Sequence, residues 1–309
     1  MNGIFLWGTG HHEMAEKIDF SRLSDLPSPW PDELRRRSPW QETVLAAEGP
    51  ESTCQVSEKR ADAPVIFIAG ACSSAMTLAW HFSAMDCLPE WGSVVCIHQW
   101  QGKGQLGRDW ISPPGNLYAA LRLPKAPPDY AGMMSLVTGY AVVRVLQKLG
   151  IPGKLKWPND ILWEGKKVGG ILIQNRSDVS VAGVGLNLTS APPPASLRAA
   201  HAIAATSLDK MGHAALPLSL WEQVVDRGRV IMDEMLALSP VSAIERIQAQ
   251  MAFMGQEVRV DDHTGNAAYH ATLMGLSQDG SLELRTGDKI ETIRSGSIVP
   301  LTDQRKEQT

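Results

Sequence analysis

From Gln99 to Trp110 the chain reads Gln-Trp-Gln-Gly-Lys-Gly-Gln-Leu-Gly-Arg-Asp-Trp. Glycines at 102, 104 and 107 alternate with Lys103, Gln105 and Arg108, and Trp110 closes the run. Glycine lets a backbone approach a ligand closely and adopt left-handed conformations. Cations set between such glycines suit an anion, either a phosphate or a carboxylate. A surface loop with solvated charges has the same composition, so this loop decides nothing by itself.

A second group of residues lies further along, at Lys156-Trp-Pro-Asn-Asp160, Lys166-Lys-Val-Gly-Gly170 and Gly183-Val-Gly-Leu-Asn187. Asn159, Asp160 and Asn187 are hard oxygen donors of the kind that position Mg²⁺ beside a nucleotide. Gly169 and Gly170 would let a strand press against a ligand, and Lys167 follows a turn from which it reaches into a shared cleft. Each has an ordinary alternative: an Asx turn, a solvated strand lysine, or bulge glycines. No Ser-His-Asp or Cys-His set is evident. His11-His12-Glu13 is a poor metal site, because adjacent residues on a helix point in different directions.

The elements that must position these residues begin at Pro64. Val65–Ala69 reads as a buried strand, Ser73 to about Met85 as a helix with an N-terminal serine, and Ser93–Gln99 as a strand running into the glycine loop. Asn116–Leu123 is a third strand, and Tyr130–Leu149 a long helix ended by Gly150. Short strands follow at 154–157, 161–163, 168–174 and 181–188, with a turn at Glu164-Gly165, then helices over about 218–238 and 241–251. From Gly255 the pattern becomes short alternating strands with turn signals at Asp279-Gly280 and Thr286-Gly287-Asp288, as in a small β-barrel. Residues 1–62 lack periodicity and carry five prolines (Pro27, Pro29, Pro31, Pro39, Pro50), so they read as an irregular extension. Trp7, Trp30 and Trp40 require that it pack on something. The expected division is thus 1–62, a catalytic domain at 63–252, and a barrel at 253–303.

Composition narrows the class. The 309 residues are 44% hydrophobic and 20% charged, as in soluble globular proteins. A formal net charge of −4 offers no general attraction for nucleic acid, and no helix presents a basic recognition face. No apolar run approaches the roughly 20 residues that span a bilayer. The N-terminus lacks the basic region of a signal peptide, so a cytoplasmic location is expected. Cys54, Cys72, Cys87 and Cys96 are irregularly spaced and fit reduced, buried thiols.

In this order, the glycine loop, the Lys-Trp-Pro-Asn-Asp segment, the Lys-Lys-Val-Gly-Gly strand and the Gly-Val-Gly-Leu-Asn strand resemble the biotin protein ligases. The likeness runs from about Val65 to Leu301 and includes the C-terminal barrel. It implies an α+β fold: a biotin/lipoate ligase-like catalytic domain with a mixed sheet and helices, plus a small SH3-like β-barrel. It also implies the form of the family that lacks a DNA-binding domain. Such enzymes activate biotin with ATP and Mg²⁺ to biotinyl-5′-AMP, then transfer biotin to one lysine of a biotin carboxyl carrier domain. Some members form homodimers through sheet edges.

By the same resemblance Ser73, Ser74 and Gln99 lie along the biotin pocket, and Gly102 and Lys103 begin the loop that closes it. Gly170, Gly183 and Val184 form its backbone walls. Gln105, Arg108, Trp110, Asn159 and Asn187 serve ATP, and Asp160 with Asn187 serves the metal. Lys167 matches the family's catalytic lysine, with Arg108 as its partner in charge stabilisation. The related lipoate- or octanoate-ligase chemistry and a non-catalytic adenylate binder are the alternatives.

The chain also departs from the family pattern. Many members carry Arg where this chain has Lys103 and again where it has Gln105. Lysine keeps the charge but loses the planar fork, and glutamine loses the charge. The first motif reads Cys72-Ser-Ser-Ala-Met76, where the family often has an acidic or polar residue followed by Ser-Thr-Asn.

Overall fold

The apolar run beginning at Val65 is a strand buried on both faces. The computed structural model describes residues 2–7, 14–16, 18, 20–44, 53–57, 63–193, 203–262 and 267–301. In it, Val65, Phe67 and Ala69 of β4 (Val65–Cys72) enter one hydrophobic core, and Ile66 and Ile68 enter another. A strand covered on both sides needs no apolar–polar alternation. The first face is covered by α2 (Ala75–Ala84), which Ser74 caps by accepting from the Thr77 N–H at 3.0 Å. The second is covered by α3 (Met134–Lys148), α4 (Pro217–Leu236) and α5 (Pro240–Gln248).

The remaining strands of the main sheet are β1 (Gly3–Trp7), β2 (Gln41–Val44), β3 (Thr53–Val56), β5 (Ser93–Gln99), β6 (Leu117–Arg122), β7 (Lys154–Lys156), β8 (Asp160–Trp163), β9 (Lys166–Arg176) and β10 (Val179–Leu186). Their order is β2-β3-β1-β4-β5-β6-β10-β9-β8-β7. β4 runs parallel to β1 and β5, while β6 to β10 pair antiparallel, so the sheet is mixed as expected. Glu164 and Gly165 turn between β8 and β9 with positive φ at both residues. β11 (Glu257–Asp261), β12 (Tyr269–Leu276), β13 (Leu282–Thr286), β14 (Lys289–Ile293) and β15 (Ser297–Pro300) form a separate antiparallel sheet in the order β14-β13-β12-β11-β15. Buried Trp157 donates to the Gly280 carbonyl at 3.1 Å and fastens this sheet to the segment carrying Asn159 and Asp160. Among the described residues, no helix is long and apolar enough to cross a membrane.

Two expectations are corrected. The described part of the N-terminal segment is not irregular: β1, β2 and β3 extend the main sheet beyond β4, and α1 (Trp30–Arg35) packs beneath α4. Phe5 and Trp7 of β1 join Phe67 and Phe82, with ring centroids 5.3 Å apart for Phe5–Phe67 and 5.1 Å for Trp7–Phe82. A five-residue strand that is apolar throughout has no period to detect. Cys72 and Cys96 form a disulfide, with Cα atoms 6.6 Å apart, where reduced thiols were expected. The cysteines lie on neighbouring strands, β4 and β5, whose register sets Cys96 against Ala69 and Cys72 against Gln99, a proximity that spacing along the chain does not reveal. The histidine pair at 11–12 lies outside the described residues.

Candidate active site

The sheet's glycine-rich strands leave a cleft of about 860 Å³ between α2, the 99–111 loop and β8 to β10. Gln99, Lys103, Gln105, Arg108, Trp110, Asn159, Asp160 and Lys167 line it, together with Ser74, Gly170, Gly183, Val184 and Asn187. Ser73 and Gly102, also expected at the site, are not among the residues that line it. Gly102 is held so close to Ser112 Oγ and the Trp110 carbonyl that a Cβ would sit 2.7 Å from each.

Lys167 stands at the start of β9, gripped by its own backbone. Its N–H donates to the Ala204 carbonyl at 2.8 Å, and its carbonyl accepts from the Thr206 N–H at 2.9 Å. Its Nζ lies 2.5 Å from Asp160 Oδ1, and buried Lys156 places its Nζ 2.7 Å from Asp160 Oδ2. Burial opposes ionisation of Asp160, but the charges of Lys156 and Lys167 outweigh it and hold the carboxyl well below the ordinary carboxylate range. Lys156 faces Asp160 across the β7–β8 turn and Lys167 enters just after the β8–β9 turn, so two successive hairpins bring all three groups together.

This arrangement does not fit Asp160 as a metal ligand. Both its oxygens carry ammonium groups, and a cation would have to displace one of them. Among the described residues, no group of three His, Cys, Asp or Glu side chains could hold a metal ion. Asn187 donates its amide to the Thr206 carbonyl at 3.1 Å, and Asn159 donates to the Ile171 carbonyl at 2.5 Å. Each thus spends one end of its amide on positioning the backbone around Lys167.

Trp110 lies flat against the strands. A Cβ on Gly185 would sit 2.7 Å from its ring, and one on Gly170 would sit 3.3 Å away. Lys167 Nζ is 5.2 Å from the ring centroid, and the indole N–H is buried without a partner. In the glycine loop Leu106 and Gly107 make a left-handed turn (φ 56° and 70°), and Lys103 pairs with Asp109 at 2.5 Å. Both partners of that ion pair are largely exposed, so it leaves Lys103 available to a ligand.

At the other end of the cleft Gln99 bridges two elements. Its Oε1 accepts from the Ala75 N–H at 2.8 Å, and its Nε2 donates to Ser112 Oγ at 2.9 Å. Ser73 Oγ is buried without a partner. The sequence reading missed the wall beyond Leu172. There Trp80 donates to Gln174 Oε1 at 2.9 Å, and the Arg176 guanidinium lies 4.5 Å from a Trp80 ring centroid. It also missed Asp261, Gly296 and Ser297, which bring the C-terminal sheet to the cleft. Alternation along β9 from Gly170 to Gln174 and Arg176 would have found the first group. No local signal marks the second.

Residues 70–189 match the model of the biotin/lipoate A/B protein ligase family. The chain is 30% identical over 229 residues to a biotin–[acetyl-CoA-carboxylase] ligase of Mycobacterium tuberculosis, covering 67% of this chain and 78% of that protein. It is 28% identical over 204 residues to the enzyme of that name from Paracoccus denitrificans, covering 62% of this chain and 83% of the relative. The biotin protein ligase of Aquifex aeolicus, solved in complex with biotin and ATP, superposes with a TM-score of 0.65 at 26% identity, over 76% of this chain and 97% of that one. With the fold, the ordered motifs and these likenesses in agreement, the chain belongs to the biotin protein ligase family.

Proposed function

We propose that this protein activates biotin with ATP and transfers the biotinyl group to a lysine of a biotin carboxyl carrier domain. The observation that carries the reading is the convergence of Lys167, Trp110 and the glycine loop on one cleft, with Lys167 fixed by Asp160. In the first step a biotin carboxylate oxygen bonds to the α-phosphorus of ATP. The bond from that phosphorus to the bridging oxygen breaks, and pyrophosphate leaves. In the second step the neutral amine of the carrier lysine attacks the acyl carbon. The anhydride C–O bond breaks, AMP departs, and the amine gives up a proton.

Neither step needs an enzyme nucleophile. Both need negative charge neutralised and reactants aligned. Lys167 and Arg108 supply cations where charge builds on the α-phosphate, and Trp110 offers an aromatic face for the adenine. Ser74, Gln99, Gly183 and Val184 line the end of the cleft suited to the acid, and the hydroxyl of the adjacent Ser73 is buried without a partner. Magnesium would accompany the nucleotide and shield its phosphates. Because Asp160 is occupied by lysines, no step is assigned to a protein-bound metal.

Pyrophosphate exchange tests the reading. Biotin should support ATP–pyrophosphate exchange, and lipoate and octanoate should not. Exchange with lipoate or octanoate alone would move the protein to the related ligase chemistry. Binding of biotinyl-adenylate without carrier labelling would make it a binder rather than an enzyme.

A further inference from the structure

We infer that the N-terminal residues Met14, Ala15 and Glu16 form a clip that positions the acid-binding end of the cleft. This inference rests on the functional reading above. β1 covers one edge of β4 from Val65 to Ile68 in parallel register. Ala15 bridges Cys72 in the antiparallel sense at the last residue of the same strand. Two short backbone bonds seal the contact: Glu16 N–H to the Ala71 carbonyl and Ser73 N–H to the Met14 carbonyl, both 2.6 Å.

Ser73 is therefore held from two directions. Its N–H is taken by the clip, and its carbonyl accepts from the Gln101 N–H of the glycine loop at 2.9 Å. The preceding carbonyl, Cys72, accepts from Trp100 N–H at 3.0 Å. Ser74, the next residue, caps α2 and lines the cleft. A strand end without a neighbour leaves its N–H and carbonyl groups unpaired and is free to fray. Here fraying would move Ser73 and Ser74 and slacken the loop anchored to them. Gly70 shows how tight the contact is, since a Cβ there would lie 2.9 Å from the Glu16 carbonyl oxygen.

The side chain of Glu16 is exposed, so its backbone carries the effect. Glu16→Pro removes the N–H that bonds Ala71. Gly70→Ala pushes the clip away without removing any hydrogen-bonding group. Glu16→Ala is the control and keeps both. In exchange assays on the full chain, Glu16→Pro and Gly70→Ala should each raise KM for biotin about three- to tenfold, the worth of a lost backbone bond. KM for ATP should stay within about twofold, and Glu16→Ala should match the wild type. A parallel change in both KM values, or an unchanged KM for biotin, overturns the inference.

A second measurement needs no variant. Coupling is reciprocal, so biotin should slow amide hydrogen exchange in the peptide containing Glu16. Unchanged exchange there while biotin binds would overturn the clip and leave the functional reading intact. Failure of the wild type to bind biotin would instead overturn that reading.

Discussion

Asp160 joins the catalytic candidate Lys167 to the buried Lys156, holding the first at 2.5 Å through one carboxylate oxygen and the second at 2.7 Å through the other. The carboxylate thus sets the direction of Lys167 and neutralises a cation that has almost no access to water. Asp160→Asn keeps the shape and removes the charge, which strands Lys156. The expected cost is about 3–5 kcal/mol, read by urea unfolding at pH 7. The pH dependence follows from the sign of the shift. A carboxyl held below its ordinary range stabilises the fold above the unfolded-state value and loses that contribution as pH falls toward the folded one. The gap between wild type and variant should therefore narrow below about pH 4. A gap that stays constant as pH is taken below about 4 would show that the ion pairs are not its source.

Lys167→Met tests the chemistry separately from the fold. Asp160 still has Lys156 in the variant, so the unfolding midpoint should barely move. Exchange should fall about a hundredfold or more, the usual loss when a preorganised donor to a developing negative charge is removed. Near-normal turnover would deny Lys167 its role.

The residues of the cleft were legible because most of their signals are local. Lys156 to Asp160, Lys167 and the glycines of β9 and β10 stand close in sequence and fold into one hairpin series. What escaped depends on long-range pairing. Glu33 illustrates it: in the sequence it belongs to a charged cluster, yet it is fully buried. Its carboxylate accepts from the Leu218 and Ser219 N–H groups at 2.9 and 2.8 Å, capping α4, whose own N-cap residue, Leu216, has no side chain able to do so. Neither the strands of residues 1–62 nor the Cys72–Cys96 pair has a signature that survives without knowing its neighbour.

Glu33→Ala measures how strongly the N-terminal segment is fastened. The substitution leaves two helix N–H groups unpaired, while Arg37 keeps its ion pair with Glu222. A loss of about 2–4 kcal/mol is expected in urea unfolding, from the missing cap and the unsatisfied donors. A loss below about 1 kcal/mol, the ordinary worth of one hydrogen bond, would mean that water replaces the carboxylate at the helix end.

Gln105→Arg addresses the departure in the glycine loop. Gln105 lines the cleft on a short turn, and its neighbour Lys103 is partly engaged by Asp109. An added guanidinium should hold the adenylate more tightly, slowing its release about fivefold or more, as expected for a charge-assisted hydrogen bond. An unchanged release rate would show that the loop does not limit retention.

Gly185→Ala probes the seat of Trp110. A methyl group there would lie 2.7 Å from the indole, and the strand backbone cannot retreat because β10 is paired on both sides, with β6 and β9. The ring must therefore swing off the strands. Overpacking of this kind costs about 1–3 kcal/mol, and if the ring carries adenine, KM for ATP should rise about five- to hundredfold. KM for biotin should change little, because Ser74 and Gln99 are held by α2 and Ser112 rather than by the indole ring. If instead KM for biotin rises and that for ATP does not, Trp110 belongs to the acid end of the cleft, and the proposed direction of the bound intermediate is reversed.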